Sequence, residues 1–362
     1  MKLAMTLLAR NEADLVEANV AFHLNAGADL VIATDNRSDD GTTEILESFA
    51  RDGHLHLIRE EGTDMRQGKW VTRMARLAAR EHGADWVIHG DADEFYWPRG
   101  GTLKEVLAGI PPPYGSVRTF VRTFLLRPGG EELPFFERMT VRLSTPAPIH
   151  DPASIFRPGS KLIHRAHPDV VVGDGTHALH GASLPRLPGH HPIEMLHFPF
   201  RTTEQAGQKF VRAFGAWTQN PTRPPPHYYA KAYSAIGEGR VDEFIASLTC
   251  SDDVLERGLE DGTLVLDTRL RNALGLLRAD GDEGRRFRLP SSVPRLAFPH
   301  PDLADDARYA AEAAALDEAE VVRLRRRMDA VAEHMSRLDS RHGRAWSTRD
   351  AELDASGVLG GG

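Results

Sequence analysis

The sequence predicts an α/β protein. It would be built on a mostly parallel sheet with helices on both faces, extended by a mainly helical C-terminal region. Three observations carry this. Compact apolar runs alternate with amphipathic stretches through the first hundred residues. Those runs are continuous, as strands buried on both faces are. The composition, 41% hydrophobic and 27% charged, is that of an ordinary globular chain.

The elements follow in order. Lys2–Leu8 is a buried first strand. It is too brief for a secretory segment, and Arg10-Asn11-Glu12 stands where a small-residue cleavage site belongs. Asp14–Ala26 places Leu15, Ala18, Phe22 and Ala26 at helical spacing. Asp29–Thr34 is a strand around Leu30-Val31-Ile32, and Thr42–Ala50 a helix with Ile45, Leu46 and Phe49 inward. His54–Arg59 is a strand. Lys69–His82 is a helix with Trp70, Met74, Leu77 and Ala78 on one face, and Trp86–Ile88 a short strand. Right-handed crossovers open all the strand-to-helix loops on one edge, where open α/β sheets bind ligands.

Beyond this point the pattern changes. Thr102–Ala108 is a short helix stopped by Pro111-Pro112-Pro113, and Tyr114–Leu126 reads as a strand. The chain to Phe200 is rich in Pro, Gly and His, with strand-like pieces at Lys161–His164 and Val170–Val172. Helices return at Thr203–Thr218, Tyr228–Leu248 and Asp302–Arg341. In the last, Val321, Leu324, Met328, Val331, Met335 and Leu338 alternate spacings of three and four. Such a seam packs on its own domain or, alternatively, joins two copies in a homodimer. Phe210, Phe214, Trp217, Tyr228, Tyr229 and Tyr233 either form helix core or line an acceptor groove.

Charge excludes some classes. Lys plus Arg is 44 and Asp plus Glu 52, a net charge of −8, whereas a general nucleic-acid binder is basic. Cys250 alone cannot build a disulfide framework or a thiolate zinc cluster, and fits a reducing cytoplasm. No stretch approaches the ~20 apolar residues of a membrane span.

Chemistry concentrates at the strand ends. Asp91-Ala92-Asp93-Glu94-Phe95 follows a strand, and three acids in four positions repel one another unless a cation or a basic partner is present. Hard oxygen donors suit Mg²⁺ or Mn²⁺. A solvated acidic turn is the plainer alternative. Asp39 and Asp40 sit at a helix start, which their charge explains. Asp35 lies at the strand end itself, where it can accept from a base N–H or a ribose hydroxyl. Arg10 and Glu12 bring both charges to the same edge, and Arg66 and Lys69 could neutralise a diphosphate. Histidines 164, 167, 177, 180, 190, 191 and 197 fall in one irregular stretch, with His177 and His197 best placed beside strand-like pieces.

Taken in order, Leu7–Glu12 ending in Arg-Asn-Glu, Asp35–Thr42, Asp85–Phe95 and Leu196-His197-Phe198 resemble a family 2-type glycosyltransferase of the GT-A fold, in the branch whose Asp-x-Asp continues as Glu-Phe. The resemblance covers residues 1–215 and is strongest over 1–97. It implies a catalytic domain at 1–215, a helical acceptor-side or oligomerisation region at 216–350 and a disordered tail at 351–362. It also implies a nucleotide-diphosphate-sugar donor, a uridine diphosphate sugar first, with Mn²⁺ or Mg²⁺. The acceptor would be a small molecule, a glycan or a protein. Asp35 would meet the base, and Arg10 and Glu12 would line the nucleoside pocket. Asp91 would contact the ribose or the metal and Asp93 would hold the metal, with His197 or, next, His177 completing its shell. Inverting relatives use a carboxylate base, for which Asp174 and Glu194 are the candidates. The usual Glu-Asp dipeptide is missing, and His89 stands where relatives carry an apolar residue. Two other classes compete. A sugar-nucleotide nucleotidyltransferase would need a glycine-rich loop where Ala9-Arg10-Asn11-Glu12 stands. A non-catalytic nucleotide-binding scaffold would not need the metal acids.

Overall fold

A computed structural model describes residues 1–62, 67–144, 160–218, 229–279, 286–290, 296–302 and 305–318, and, between 321 and 337, residues 321–322, 325–326, 328–329, 331–333, 335 and 337. The chain forms two compact units, Met1–Ala313 and Ala314–Gly362.

The first unit opens as alternating strands and helices: β1 (Leu3–Ala9), α1 (Val16–Asn25), β2 (Leu30–Asp35), α2 (Thr42–Arg51), β3 (Leu55–Arg59), α3 (Gln67–Arg80) and β4 (Trp86–Asp91). There follow β5 (Glu94–Pro98), α4 (Leu103–Ala108), β6 (Ser116–Thr123), α5 (Phe135–Arg138), β7 (Val141–Leu143), β8 (Leu162–Arg165), β9 (Val171–Val172), β10 (Leu179–His180) and β11 (Ile193–His197). The remainder is α6 (Thr203–Thr218), α7 (Ala230–Gly237), α8 (Val241–Ser247), α9 (Asp252–Glu260), β12 (Leu264–Leu266) and α10 (Arg269–Leu277).

Eight strands form one sheet in the order β3-β2-β1-β4-β8-β6-β11-β5. The first four run parallel. β8 is antiparallel to both β4 and β6, β6 is parallel to β11, and β5 is antiparallel to β11. The sheet is mixed beyond β4, a detail the apolar runs do not encode.

Its curvature follows from chain length. Four strand spacings would separate β4 from β5 by ~19 Å in a flat sheet. Only Ala92 and Asp93 join Asp91 to Glu94, a reach of at most ~11 Å. The sheet therefore curls, bringing the ends of β4 and β5 together at the acidic motif.

Strand alternation sorts the two faces. Leu3, Met5 and Leu7 pack in the larger core with Val20, Phe22 and Leu46, while Ala4, Ile32 and Val87 pack against Val71, Met74 and Ala78 of α3. On this second face the odd residue is His89. It is fully buried beside Thr6, whose Oγ1 lies 2.7 Å from His89 Nδ1. His89 Nε2 lies 2.8 Å from His164 Nε2, and His164 Nδ1 2.7 Å from the Arg165 carbonyl. Since a carbonyl only accepts, His164 Nδ1 donates and its Nε2 accepts from His89. His89 therefore joins β1, β4 and β8 by polar contacts where an apolar residue would join them by packing.

The helix expected over Tyr228–Leu248 is two helices, α7 and α8, broken where Gly239 adopts φ +70°. Phe210 and Tyr233 are buried with Phe200 and Ile245, and Phe214 and Tyr229 pack against them, so these aromatics are core. Tyr228 and the Trp217 side chain lie outside the described residues. No described helix is long and apolar enough to cross a membrane.

The second unit's described residues are helical. Of the seam, Val321, Met328, Val331 and Met335 are exposed. Leu324 and Leu338 lie outside the described residues.

Candidate functional site

The C-terminal ends of β1, β2 and β4 share one edge, where Ala9 pairs with Asp35 and Leu8 with Asp91. Since β2 flanks β1 on one side and β4 on the other, the crevice between them is a topological switch point. Two loops are stitched together there. Asn11 N–H donates to Ser38 Oγ (3.0 Å), Asn11 Nδ2 to Asp39 Oδ1 (2.8 Å) and Glu12 N–H to Thr42 Oγ1 (2.8 Å). Asn11 holds φ +56°, a left-handed conformation that asparagine tolerates better than most residues. Arg10 is exposed at the tip.

Asp35 is buried rather than open. Its Oδ1 accepts from Ser38 Oγ at 2.5 Å and its Oδ2 from Thr43 Oγ1 at 2.5 Å.

The acidic motif splits into two parts. Asp91 ends β4 and is bound by Lys161 Nζ at 3.0 Å, which also donates to Glu94 Oε2 at 2.5 Å. Glu94 Oε2 further accepts the Asp91 N–H at 3.0 Å. Asp93 faces a different cation, with Lys209 Nζ of α6 2.8 Å from Oδ2. The antiparallel register of β5 on β11 sets His197 directly opposite Glu94. The Phe198 N–H then donates to the Asp93 carbonyl at 2.9 Å, and His197 Nε2 comes 3.7 Å from Asp93 Oδ2.

Asp93, Glu94 and His197 each offer a donor atom, all within 4.8 Å of one another. This set suits a divalent cation of the Mg²⁺ or Mn²⁺ type, hard oxygens joined by an imidazole. Burial alone would raise the Asp93 carboxyl, but Lys209 and His197 hold it well below the usual range, ionised as a ligand must be. Burial pushes Glu94 up to about 7 against the pull of Lys161.

A second buried cation lies beside this group. Arg201 is 1% exposed. Its Nε donates to Asp14 Oδ2 at 2.5 Å and its Nη2 to Glu12 Oε2. Burial lifts the Glu12 carboxyl to about 7, with Arg201 opposing and the Asp93 charge adding to the lift.

Other expected residues stand apart. His177 is exposed, with Nδ1 2.7 Å from the Ser160 carbonyl, and is not part of the trio. Asp174 accepts the Gly68 N–H at 3.0 Å, and with Lys69, Arg73, Arg76 and Arg80 lines an open groove of about 780 Å³ along α3. Arg66 lies outside the described residues. Glu194 corrects an expectation. It is buried, bonded to Arg122 Nε at 2.6 Å and to Arg269 Nη1. Burial would raise its carboxyl, but Arg269 and Arg122 pull it to about 2, too weak a base to take a hydroxyl proton.

Four side chains the sequence did not single out complete the site: Glu94 as a donor, Lys161, Arg201 and Lys209. Glu94 was legible within the motif itself. Nothing in the sequence pairs Lys161, Arg201 or Lys209 with acids lying 67 to 189 positions earlier.

No family model matches the chain. A curated relative, glycosyltransferase family 92 protein Os08g0121900 of Oryza sativa subsp. japonica, is 28% identical over 125 residues, 34% of this chain and 21% of that protein. The chain thus matches about a fifth of that relative's length. Among solved structures, S. aureus TarS in complex with UDP-GlcNAc is 13% identical with a TM-score of 0.34, over 76% of this chain and 80% of that one. Glucosyl-3-phosphoglycerate synthase from Mycobacterium tuberculosis, in complex with Mn²⁺, UDP and glucosyl-3-phosphoglycerate, is 17% identical with a TM-score of 0.26, over 46% and 57% of the two chains. Likeness this low assigns no function.

Proposed function

We propose that the chain is a metal-dependent glycosyltransferase. It moves a sugar from a nucleotide-diphosphate-sugar, a uridine diphosphate sugar being the expected donor, to an acceptor hydroxyl with inversion. One observation carries this reading. Asp93 and Glu94 of the donor set come just after β4, whose end shares with β1 and β2 the switch-point edge of the parallel part of the sheet, and β11 brings His197 to them. The stretch shared with the rice family 92 protein supports it.

Asp93 and His197 would hold the cation, with Glu94 beside them. When bound, the cation supplies Lewis-acid stabilisation of the departing diphosphate. The chain's own residues do the rest. The stitched β1–α1 and β2–α2 loops form the nucleoside side, with Arg10 at the tip and Asp35 anchoring the turn. Lys69 is exposed in the first turn of α3 and attracts phosphate from there. Asp174, exposed and lining the α3 groove, is the retained candidate for accepting the acceptor's proton.

Thermal shift tests this directly. Uridine diphosphate with Mn²⁺ raises the melting temperature, since a ligand at about 100 times its Kd adds about 2.7 kcal/mol to the native state. No shift with any nucleoside diphosphate overturns the reading.

A further inference from the structure

The acids of the motif carry two resident ammonium groups, and the two are not equivalent. Lys161 is 7% exposed and bridges two carboxylates, Asp91 at 3.0 Å and Glu94 at 2.5 Å. It is built in. Lys209 is 32% exposed on α6 and holds one carboxylate, Asp93 Oδ2 at 2.8 Å, and one carbonyl, that of Pro199 at 3.2 Å. Its flexible four-carbon stem can carry the charge outward without disturbing the sheet.

The oxygen that Lys209 occupies is also the Asp93 oxygen nearest the imidazole, 3.7 Å from His197 Nε2. An ammonium and a divalent cation sharing that oxygen would repel at close range, where low-dielectric surroundings strengthen the repulsion. They compete. Without Lys209 or a metal Asp93 would be a buried carboxylate left with His197 alone, which is costly.

We propose that Lys209 is a tethered counter-cation that holds Asp93 Oδ2 and is displaced when a divalent cation enters. This rests on the reading that Asp93 and His197 take such a cation. Lys209 then has two consequences. It keeps the metal-free site neutral enough to stay folded, and it weakens metal binding by the cost of its own displacement. The freed ammonium stays tethered beside the site, available to an anionic substrate group.

The experiment measures Mn²⁺ binding alone, without nucleotide, on the full chain, with free Mn²⁺ followed by electron paramagnetic resonance. Lys209→Met and Lys209→Gln are both expected to bind Mn²⁺ at least about tenfold more tightly than wild type, because a competing charge is gone. Lys209→Arg keeps the charge and should bind as wild type does. Adding Asp93→Asn to either neutral variant should abolish the gain. Melting gives a second readout: both neutral variants melt lower than wild type without metal and recover more on adding Mn²⁺. Equal or weaker binding in the neutral variants overturns the inference, as does a gain that survives Asp93→Asn. If wild type binds Mn²⁺ and the variants show no gain, the inference fails while the glycosyltransferase reading stands. If no form binds Mn²⁺, this inference and the metal role both fall, and the uridine diphosphate shift without metal then judges the donor reading alone.

Discussion

Arg201 and Glu12 lie 189 residues apart in sequence and are hydrogen-bonded at the site, Nη2 to Oε2. The contact ties the segment after β11 to the loop after β1. It also holds a titratable carboxyl, half-buried, against a buried guanidinium.

That carboxyl sets a pH dependence. Glu12 rises from 4.5 to about 7 on burial, so the native state binds its proton more tightly than the unfolded chain does. Its contribution to stability is full below about 4.5 and is lost as pH rises to about 7. Glu94 has the same sign and window. Glu12→Gln should therefore make the melting temperature fall less, or rise more, between pH 5 and 7 than it does in wild type. An unchanged slope would show that Glu12 titrates normally.

The buried histidine pair acts in the opposite sense. Burial lowers His164 from 6.5 to about 4, and lowers His89 well below its ordinary value. The unfolded chain takes up these protons first, so their contribution is full above about 6.5 and is lost as pH falls to about 4. A His89→Leu, His164→Leu double variant should shrink the acid-side drop, measured as melting temperature against pH, while buried His23, lowered to about 4, keeps its own share.

Asp93→Asn keeps the shape of the side chain and removes its charge. Sugar transfer should fall by about 10²-fold or more, the scale of losing one preorganised electrostatic contact. Circular dichroism should stay native-like. Turnover at wild-type level in the presence of chelator would remove Asp93 from the chemistry.

Glu194→Gln should act on stability instead. The carboxylate is 2% exposed and bonded to Arg122 and Arg269, so its loss leaves buried guanidinium charge undercompensated. The expected cost is about 3 kcal/mol by urea unfolding. Uridine diphosphate affinity should be retained. A variant of native stability that loses turnover would return Glu194 to the catalytic candidates.

The sequence by itself determined the local elements. Apolar runs and helical spacing located β1 to β4 and α1 to α3 with small differences at the ends, because burial on both faces leaves a direct mark on composition. It also marked the acidic motif, since neighbouring like charges need compensation wherever the chain folds. The tertiary structure alone decided what compensates them. β5 follows Asp91 by two residues yet pairs with β11 at the far edge of the sheet, and that pairing places His197 opposite Glu94. Lys161, Arg201 and Lys209 arrive from distant segments, and Glu194 turns from base candidate to ion-pair partner only once Arg122 and Arg269 surround it. Periodicity reports how each segment meets its own core. It holds no information on which distant charge will be buried beside which, because that depends on the curl of the whole sheet.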